Sequence, residues 1–152
     1  MKLIKRIFIV IALIVALVYL VIIPYIHQEA KKFSPAKTAQ LELKGSSLEV
    51  EYSSPSKKGR IIFGDLVPFG KVWRTGANEP TTFSTTQNIK IIDKILPAGK
   101  YSLWTVPNRN SWKVIFNTQI PDWGVTRVDG NQTTHDPRFD YLTVEVPVKT
   151  LE

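Results

Sequence analysis

The segment at residues 141–148, YLTVEVPV, decides the fold class because its apolar side chains recur at every second position. Leucine and valine occupy the even positions from Leu142 to Val148, and Thr143 and Glu145 lie between them. A period of two indicates a strand with one buried face and one face in solvent. We therefore predict a half-buried β-strand over this segment.

Segments with strand character also recur earlier in the chain. Leucines before residues 44–47 (KGSS), and apolar residues alternating with glutamates after them, predict a half-buried hairpin with a charged outer face. Further strands are predicted at residues 82–85, 89–92, 100–106 and 112–117, separated by proline, glycine and asparagine. No long helical period follows the apolar segment near the N-terminus. We therefore predict an all-β domain, an antiparallel β-sandwich that is jelly-roll-like.

The aromatic residues fall into two groups by position. Those in predicted strands are expected in the core: Tyr101, Trp104, Trp112 and Phe116. Trp73 and Trp123 lie in predicted loops.

An apolar segment at residues 7–26 precedes the β-domain. Residues 7–23 are 17 consecutive apolar residues, and residues 24–26 extend the segment to 20, about 30 Å as a helix, which matches the bilayer core. No A-x-A cleavage signal follows it. We predict a retained transmembrane anchor at residues 1–26, a juxtamembrane linker at 27–38 and the β-sandwich domain at 39–150.

The basic residues before the apolar segment indicate its orientation. Lys2, Lys5 and Arg6 precede it, and the positive-inside rule places such an end in the cytoplasm. We therefore predict a single-pass protein of the inner membrane with its C-terminal domain on the periplasmic side.

Composition excludes several classes of function. The chain has no cysteine, so it has no disulfide, thiolate nucleophile, thiolate-bound metal or lipid-modified cysteine. The net charge is +7, but the basic residues are scattered among acids, which argues against binding to nucleic acid. We also predict no cofactor.

Residues 68–80, PFGKVWRTGANEP, hold the highest density of binding chemistry. The segment is too polar for a core strand and too rich in glycine and proline for a helix, which predicts a long ordered loop. Lys58, Arg60 and Arg74 together offer a clamp for a carboxylate, phosphate or sulfate. The predicted ligand-binding residues are Lys58, Arg60, Trp73, Arg74, Thr75, Asn78 and Glu79. The competing interpretation pairs Arg74 with Glu79, or with loop carbonyls, only to stabilise the loop.

Catalysis has weaker support in the sequence. Asp65 and Glu79 are the only carboxylates within residues 52–80, so a hydrolase that uses them as acid and base is the alternative. His135 lies in a polar loop, where we expect an exposed imidazole and no Ser-His-Asp triad. Residues 129–136 place oxygen ligands at alternating positions without the closing bidentate acid of a calcium loop, so we predict no metal site.

Five ordered motifs make the sequence recognisable: Y-S-x-P-S-x-K-G-R, I-F-G-x-L-V-P-x-G-x-V-W-R-T-G-A-N-E, L-P-A-G-x-Y-S-L-x-x-x-P, W-x-V-I-F-N and W-G. From about residue 48 to residue 148 the chain resembles the bacterial domain-of-unknown-function family 2911. The resemblance implies a small β-sandwich in envelope proteins of Gram-negative bacteria and brings no established activity. The motif positions are Tyr52, Ser53, Pro55, Lys58, Gly59, Arg60, Phe63, Gly64, Trp73, Arg74, Thr75, Gly76, Asn78 and Glu79.

These observations predict a membrane-anchored binding module. It would hold an anionic or sugar-like ligand, or an envelope protein, through the seven predicted ligand-binding residues. The alternatives are the hydrolase and a purely structural envelope protein that binds partners through an exposed sheet edge.

Overall fold

The structure is a computed structural model that describes residues 2–43, 45–126 and 132–149. The chain forms two compact units, one ending at Phe33 and the other beginning at Ser34.

The first unit is a continuous helix, Lys2–Phe33, which is long and apolar enough to cross a membrane. It consists of α1 (Lys2–Leu17), a π-helical turn (Val18–Ile22) and α2 (Ile23–Phe33). The π turn ends at Ile22, two residues before Pro24. Because proline has no N–H to donate to the carbonyl one turn back, the hydrogen-bond ladder is interrupted there.

The second unit is built from antiparallel strands. Within the described residues they are β1 (Ala36–Leu43), β2 (Ser46–Ser53), β3 (Trp73–Arg74), β4 (Thr82–Thr85), β5 (Ile89–Ile91), β6 (Lys94–Leu96), β7 (Gly99–Pro107), β8 (Ser111–Asn117) and β9 (Asp140–Pro147). The main sheet has the order β1-β2-β4-β7-β8-β9, with β3 also paired to β7, and β5 and β6 form a separate sheet. The prediction of antiparallel sheets after an apolar helix is confirmed, whereas the jelly-roll detail stays a prediction.

One face of the main sheet carries the apolar core. Residues opposite each other on neighbouring antiparallel strands share a face. The register aligns Phe83 of β4 with Tyr101 of β7, and Phe116 of β8 with Leu142 of β9. These side chains and Val144 pack into one cluster. The rings of Phe83 and Phe116 meet edge to face, with centroids 5.4 Å apart.

The β5–β6 hairpin packs against this cluster. Leu96 has no exposed surface, and Ile89 and Ile91 contact the same core. The strand predicted at residues 89–92 is confirmed as β5, whereas β6 is not predicted: the chain reverses at Ile92 and Asp93 and returns as this second strand. Ile92 has a φ of +59°, which β-branched residues rarely adopt, so this turn has no recognisable sequence signal.

The opposite face of the main sheet is also buried at its centre, where polar groups lie beside Trp104 and Ile115; we call it the polar face. Ser102, Trp104 and Asn117 are at most 1% exposed. Trp104 Nε1 donates to Ser102 Oγ over 2.8 Å, and Ser102 Oγ donates to the Gln119 carbonyl over 2.7 Å. The predicted core positions of Tyr101, Trp104 and Phe116 are confirmed, although Trp104 lies on this polar face.

The first hairpin differs from its prediction in burial. Every residue of β1 is exposed, including Leu41 and Leu43, so a half-buried β1 is wrong. β1 is an edge strand that pairs only with β2, and the apolar cluster that the β5–β6 hairpin joins includes neither strand.

Candidate functional site

The segment at residues 68–80 contains a short strand, so the prediction of an uninterrupted loop is wrong at its centre. β3 pairs with β7, with Trp73 opposite Thr105 and Arg74 opposite Trp104. Opposite residues share a face, so Arg74 belongs to the polar face of the sheet. Two residues are too few to show a period of two. The flanking glycine and proline residues therefore indicate a loop, and the sequence does not reveal the strand.

Arg74 carries a half-buried charge, and one of its polar atoms has no hydrogen-bond partner among the described residues. This atom is the buried Nε, which carries an N–H. Burial lowers the pKa of Arg74, because the charged guanidinium loses part of its hydration. The guanidinium carbon lies 5.7 Å from the centre of the Trp73 ring, within range of a cation–π contact. The competing interpretation, in which Arg74 pairs with Glu79 or with loop carbonyls, stays a prediction.

Thr75 adds a second polar atom without a partner. Its Oγ1 is buried and makes no hydrogen bond within the described part of the chain. Its carbonyl oxygen accepts a hydrogen bond from the Thr81 hydroxyl, which fixes the backbone beside Arg74. A guanidinium N–H and a hydroxyl on adjacent residues thus have no hydrogen-bond partner within residues 2–43, 45–126 and 132–149.

Asn78 holds the segment to its neighbours. It has a φ of +61°, its Nδ2 donates to the Ser34 carbonyl over 3.2 Å, and its own carbonyl accepts from the Gly124 N–H over 2.9 Å. Gly124 also packs against Arg74, since a Cβ at this glycine would lie 2.9 Å from Arg74 Cδ. Asn78 and Gly124 therefore determine where the Arg74 side chain can lie.

Lys58 and Arg60 lie on an earlier turn, and both are exposed. Arg60 Nε donates to the Lys57 carbonyl over 3.0 Å, and its Nη2 donates to the Ser56 carbonyl over 2.8 Å. The Arg60 guanidinium thus stabilises its own turn. The prediction that Lys58 and Arg60 join Arg74 and Glu79, which is half-buried, in one clamp stays a prediction.

The family model described as "Protein of unknown function (DUF2911)" matches residues 34–152. The chain belongs to the DUF2911 family. The resemblance read from the five motifs is confirmed, and the match begins at Ser34, where the second compact unit also begins. No curated protein and no solved structure matches the chain.

The DUF2911 domain buries His135, so the prediction of an exposed imidazole is wrong. The His135 side chain is 7% exposed, and its Nε2 lies 2.7 Å from Asp140 Oδ1. The same carboxylate oxygen accepts from Asn117 Nδ2 over 2.8 Å. The imidazole lies 5.5 Å from the Trp104 ring. The polar face of the sheet needs a cover that can form hydrogen bonds, and His135 supplies part of it.

The described residues give no support for a metal site or for a catalytic carboxylate pair in the DUF2911 domain. No group of three or more His, Cys, Asp or Glu in the described ranges is placed to hold a metal ion. Asp129 and Asn131, from the segment that resembles a calcium loop, lie outside the described residues. Asp65 is exposed, and its catalytic pairing with Glu79 stays a prediction.

Two surface cavities of the DUF2911 domain are not predicted by the sequence. A polar one of about 340 Å³ lies beside β9, lined by Lys94, Lys113 and Glu145 among others. A larger apolar one of about 610 Å³ has Phe63 and Trp112 in its walls. Neither is lined by the seven predicted ligand-binding residues. Phe63 and Trp112 belong to two of the motifs, but their 49-residue separation conceals that they meet.

Proposed function

We propose that the protein is a binding module anchored in the inner membrane by residues 7–26. Its β-domain lies on the periplasmic side and holds an anionic group at Arg74. The observation that supports the ligand is the half-buried Arg74 guanidinium, whose Nε–H has no partner among the described residues.

An anion at Arg74 would supply an opposite charge and hydrogen-bond acceptors for the guanidinium. Removing a cation from water costs free energy unless an opposite charge or hydrogen bonds replace the lost hydration. The planar guanidinium suits a carboxylate, phosphate or sulfate, because each can accept two parallel hydrogen bonds.

In this proposal the other predicted ligand-binding residues stabilise the backbone or contact the ligand beside Arg74. Asn78 holds the backbone that carries Arg74, and Arg60 stabilises a separate turn. Trp73 presents a half-buried ring next to Arg74. Since aromatic rings stack on sugar faces while arginine binds carboxylates, a sugar acid would use both side chains.

Binding by Arg74→Gln and Arg60→Gln variants of the full chain in detergent tests the proposal. Calorimetry and thermal unfolding would be measured with phosphate, sulfate, acetate and glucuronate. We expect at least one of these anions to bind the wild type and Arg60→Gln alike, and about tenfold weaker binding to Arg74→Gln. Arg74→Gln should retain or raise the melting temperature, because it removes an uncompensated charge.

Two results would contradict anion binding at Arg74. One is a folded wild-type protein that responds to none of the four anions. The other is an Arg74→Gln variant that loses several degrees of melting temperature and keeps any anion affinity of the wild type. That second result would make Arg74 a stabiliser of the loop.

A further inference from the structure

The apolar face of the main sheet continues beyond its covered core. Val114 of β8 and Val144 of β9 are opposite each other and belong to the core contacts. The next pair on the same face, Trp112 and Val146, instead lines the open cavity of about 610 Å³. We call this cavity the apolar groove. Its volume is within the usual range of small-molecule sites, roughly 300–1,000 Å³.

The outer wall of the apolar groove is held in place. Phe63 meets Trp112 edge to face, with ring centroids 4.7 Å apart. Gly64 has a φ of +91°, and a Cβ there would lie 2.7 Å from the Phe69 ring, so only glycine leaves room for that ring. The Gly70 N–H donates to the Pro107 carbonyl over 2.9 Å, which ties the wall to β7. These contacts hold the outer wall against β7 and β8.

The charged side chains in the described lining of the apolar groove are both basic. Arg109 and Lys149 are exposed and belong to its lining, and no described lining residue is acidic. The Arg109 guanidinium carbon lies 5.4 Å from the centre of the Phe69 ring. An apolar surface bordered by two cations complements a ligand with an apolar body and an anionic end.

The side chains inside the apolar groove restrict what that body can be. Asn108 is the only uncharged polar residue of the described lining. A sugar ring there would leave most of its hydroxyls without partners, which costs free energy. A hydrocarbon chain has no such groups and gains free energy from contact with valine and aromatic side chains.

We propose that the apolar groove binds a fatty acid, with its hydrocarbon chain against Trp112, Val146 and Val148 and its carboxylate at Arg109 and Lys149. This site is separate from the anion site proposed at Arg74, and neither depends on the other.

The experiment measures binding of the straight-chain carboxylates from hexanoate to dodecanoate to the full chain held in amphipol. Affinity should rise about fourfold for each added CH₂ until the groove is filled. Dodecanol should bind about tenfold more weakly than dodecanoate, because it lacks the charge. The Arg109→Gln/Lys149→Gln variant should bind dodecanoate about tenfold more weakly than the wild type does. The matched surface variant Lys90→Gln should bind dodecanoate with the affinity of the wild type.

Quenching of tryptophan fluorescence shows where the hydrocarbon chain of the ligand binds. A bromine-labelled dodecanoate should quench the wild type, and Trp112→Phe should bind it with similar affinity but lose most of the quenching. Val146→Asp should abolish binding while uptake by the amphipol itself stays unchanged. Arg74→Gln should bind dodecanoate normally, which separates this site from the first.

Several outcomes would overturn the proposal. These are equal binding by Val146→Asp, no dependence on chain length, or a cationic chain of the same length that binds as tightly as dodecanoate. If sedimentation instead shows self-association that Trp112→Phe or Arg109→Gln weakens, the groove is a contact between two copies of the chain.

Discussion

At the scale of single residues, Gly76 determines how closely the Arg74 segment approaches β2. Its φ is +96°, and a Cβ there would lie 2.9 Å from the Ser53 carbonyl oxygen. Any other residue would therefore meet both backbone strain and a collision with main-chain atoms. Gly59 has a similar φ of +70°, but nothing lies within 4 Å of its would-be Cβ.

This pair of glycines gives a matched comparison. Gly59→Ala should cost about 1 kcal/mol in free energy of unfolding from backbone strain alone. Gly76→Ala should cost about 1–3 kcal/mol more, because the Ser53 backbone must also move. Urea unfolding of both variants measures the difference, and equal costs would show that the contact at Gly76 relaxes freely.

Asp136 gives a prediction about pH. Its hydrogen bonds to the side chain and the backbone N–H of Arg138 lower the pKa of Asp136 from 3.8 to about 2. A pKa lowered in the folded state means that the ionised form stabilises the fold, so this contribution is present above pH 4 and is lost as the pH falls toward 2.

We therefore expect Asp136→Asn to lower the melting temperature at pH 6 and to match the wild type near pH 2. Arg138→Gln should return the pKa of Asp136 toward its ordinary value in an NMR titration. A melting difference that persists unchanged at pH 2 would indicate that Asp136 acts through its hydrogen bonds, whatever its charge.

At the scale of elements, the β5–β6 hairpin stabilises the domain through one of its faces. Leu96 is completely buried in the core, whereas its neighbour Ile95 is 56% exposed. The alternation along β6 separates the two residues, and only one of them fills space between the sheets.

Leu96→Ala should lower the free energy of unfolding by about 2–5 kcal/mol, because it leaves a cavity in a packed core. Ile95→Ala should change it by less than about 0.5 kcal/mol. Denaturant titration of both variants checks this. A small effect of Leu96→Ala would show that the hairpin is not part of the cooperative core.

At the scale of the whole molecule, the helix over Lys2–Phe33 differs from the domain after it in the apolar character of its exposed surface. All the large apolar residues of α1 are exposed, since nothing within the described chain covers them. A surface of this kind is stable in lipid and not in water. The three cations before the span favour a cytoplasmic N-terminus.

Reporter fusions to the C-terminus test the orientation in Gram-negative cells. Alkaline phosphatase is active only outside the inner membrane, and green fluorescent protein exported through the same route stays dark. We expect an active phosphatase and no fluorescence. The reverse pattern would place the domain in the cytoplasm and remove the periplasmic part of the proposed function.

The sequence by itself determined the period-two strands, the apolar segment at residues 7–26 and the DUF2911 motifs. These are local properties, because hydrophobic period and chain length do not depend on distant residues. It also indicated Arg74 as a binding residue, since guanidinium chemistry is intrinsic to the side chain.

Only the tertiary structure decided how those parts are used. Strand order and register determine the surroundings of Arg74, the burial of His135 and the contact between Phe63 and Trp112. Such contacts join residues far apart in the chain, and no local pattern records them. The burial of a polar sheet face and the opening of an apolar groove on the other face therefore follow from packing.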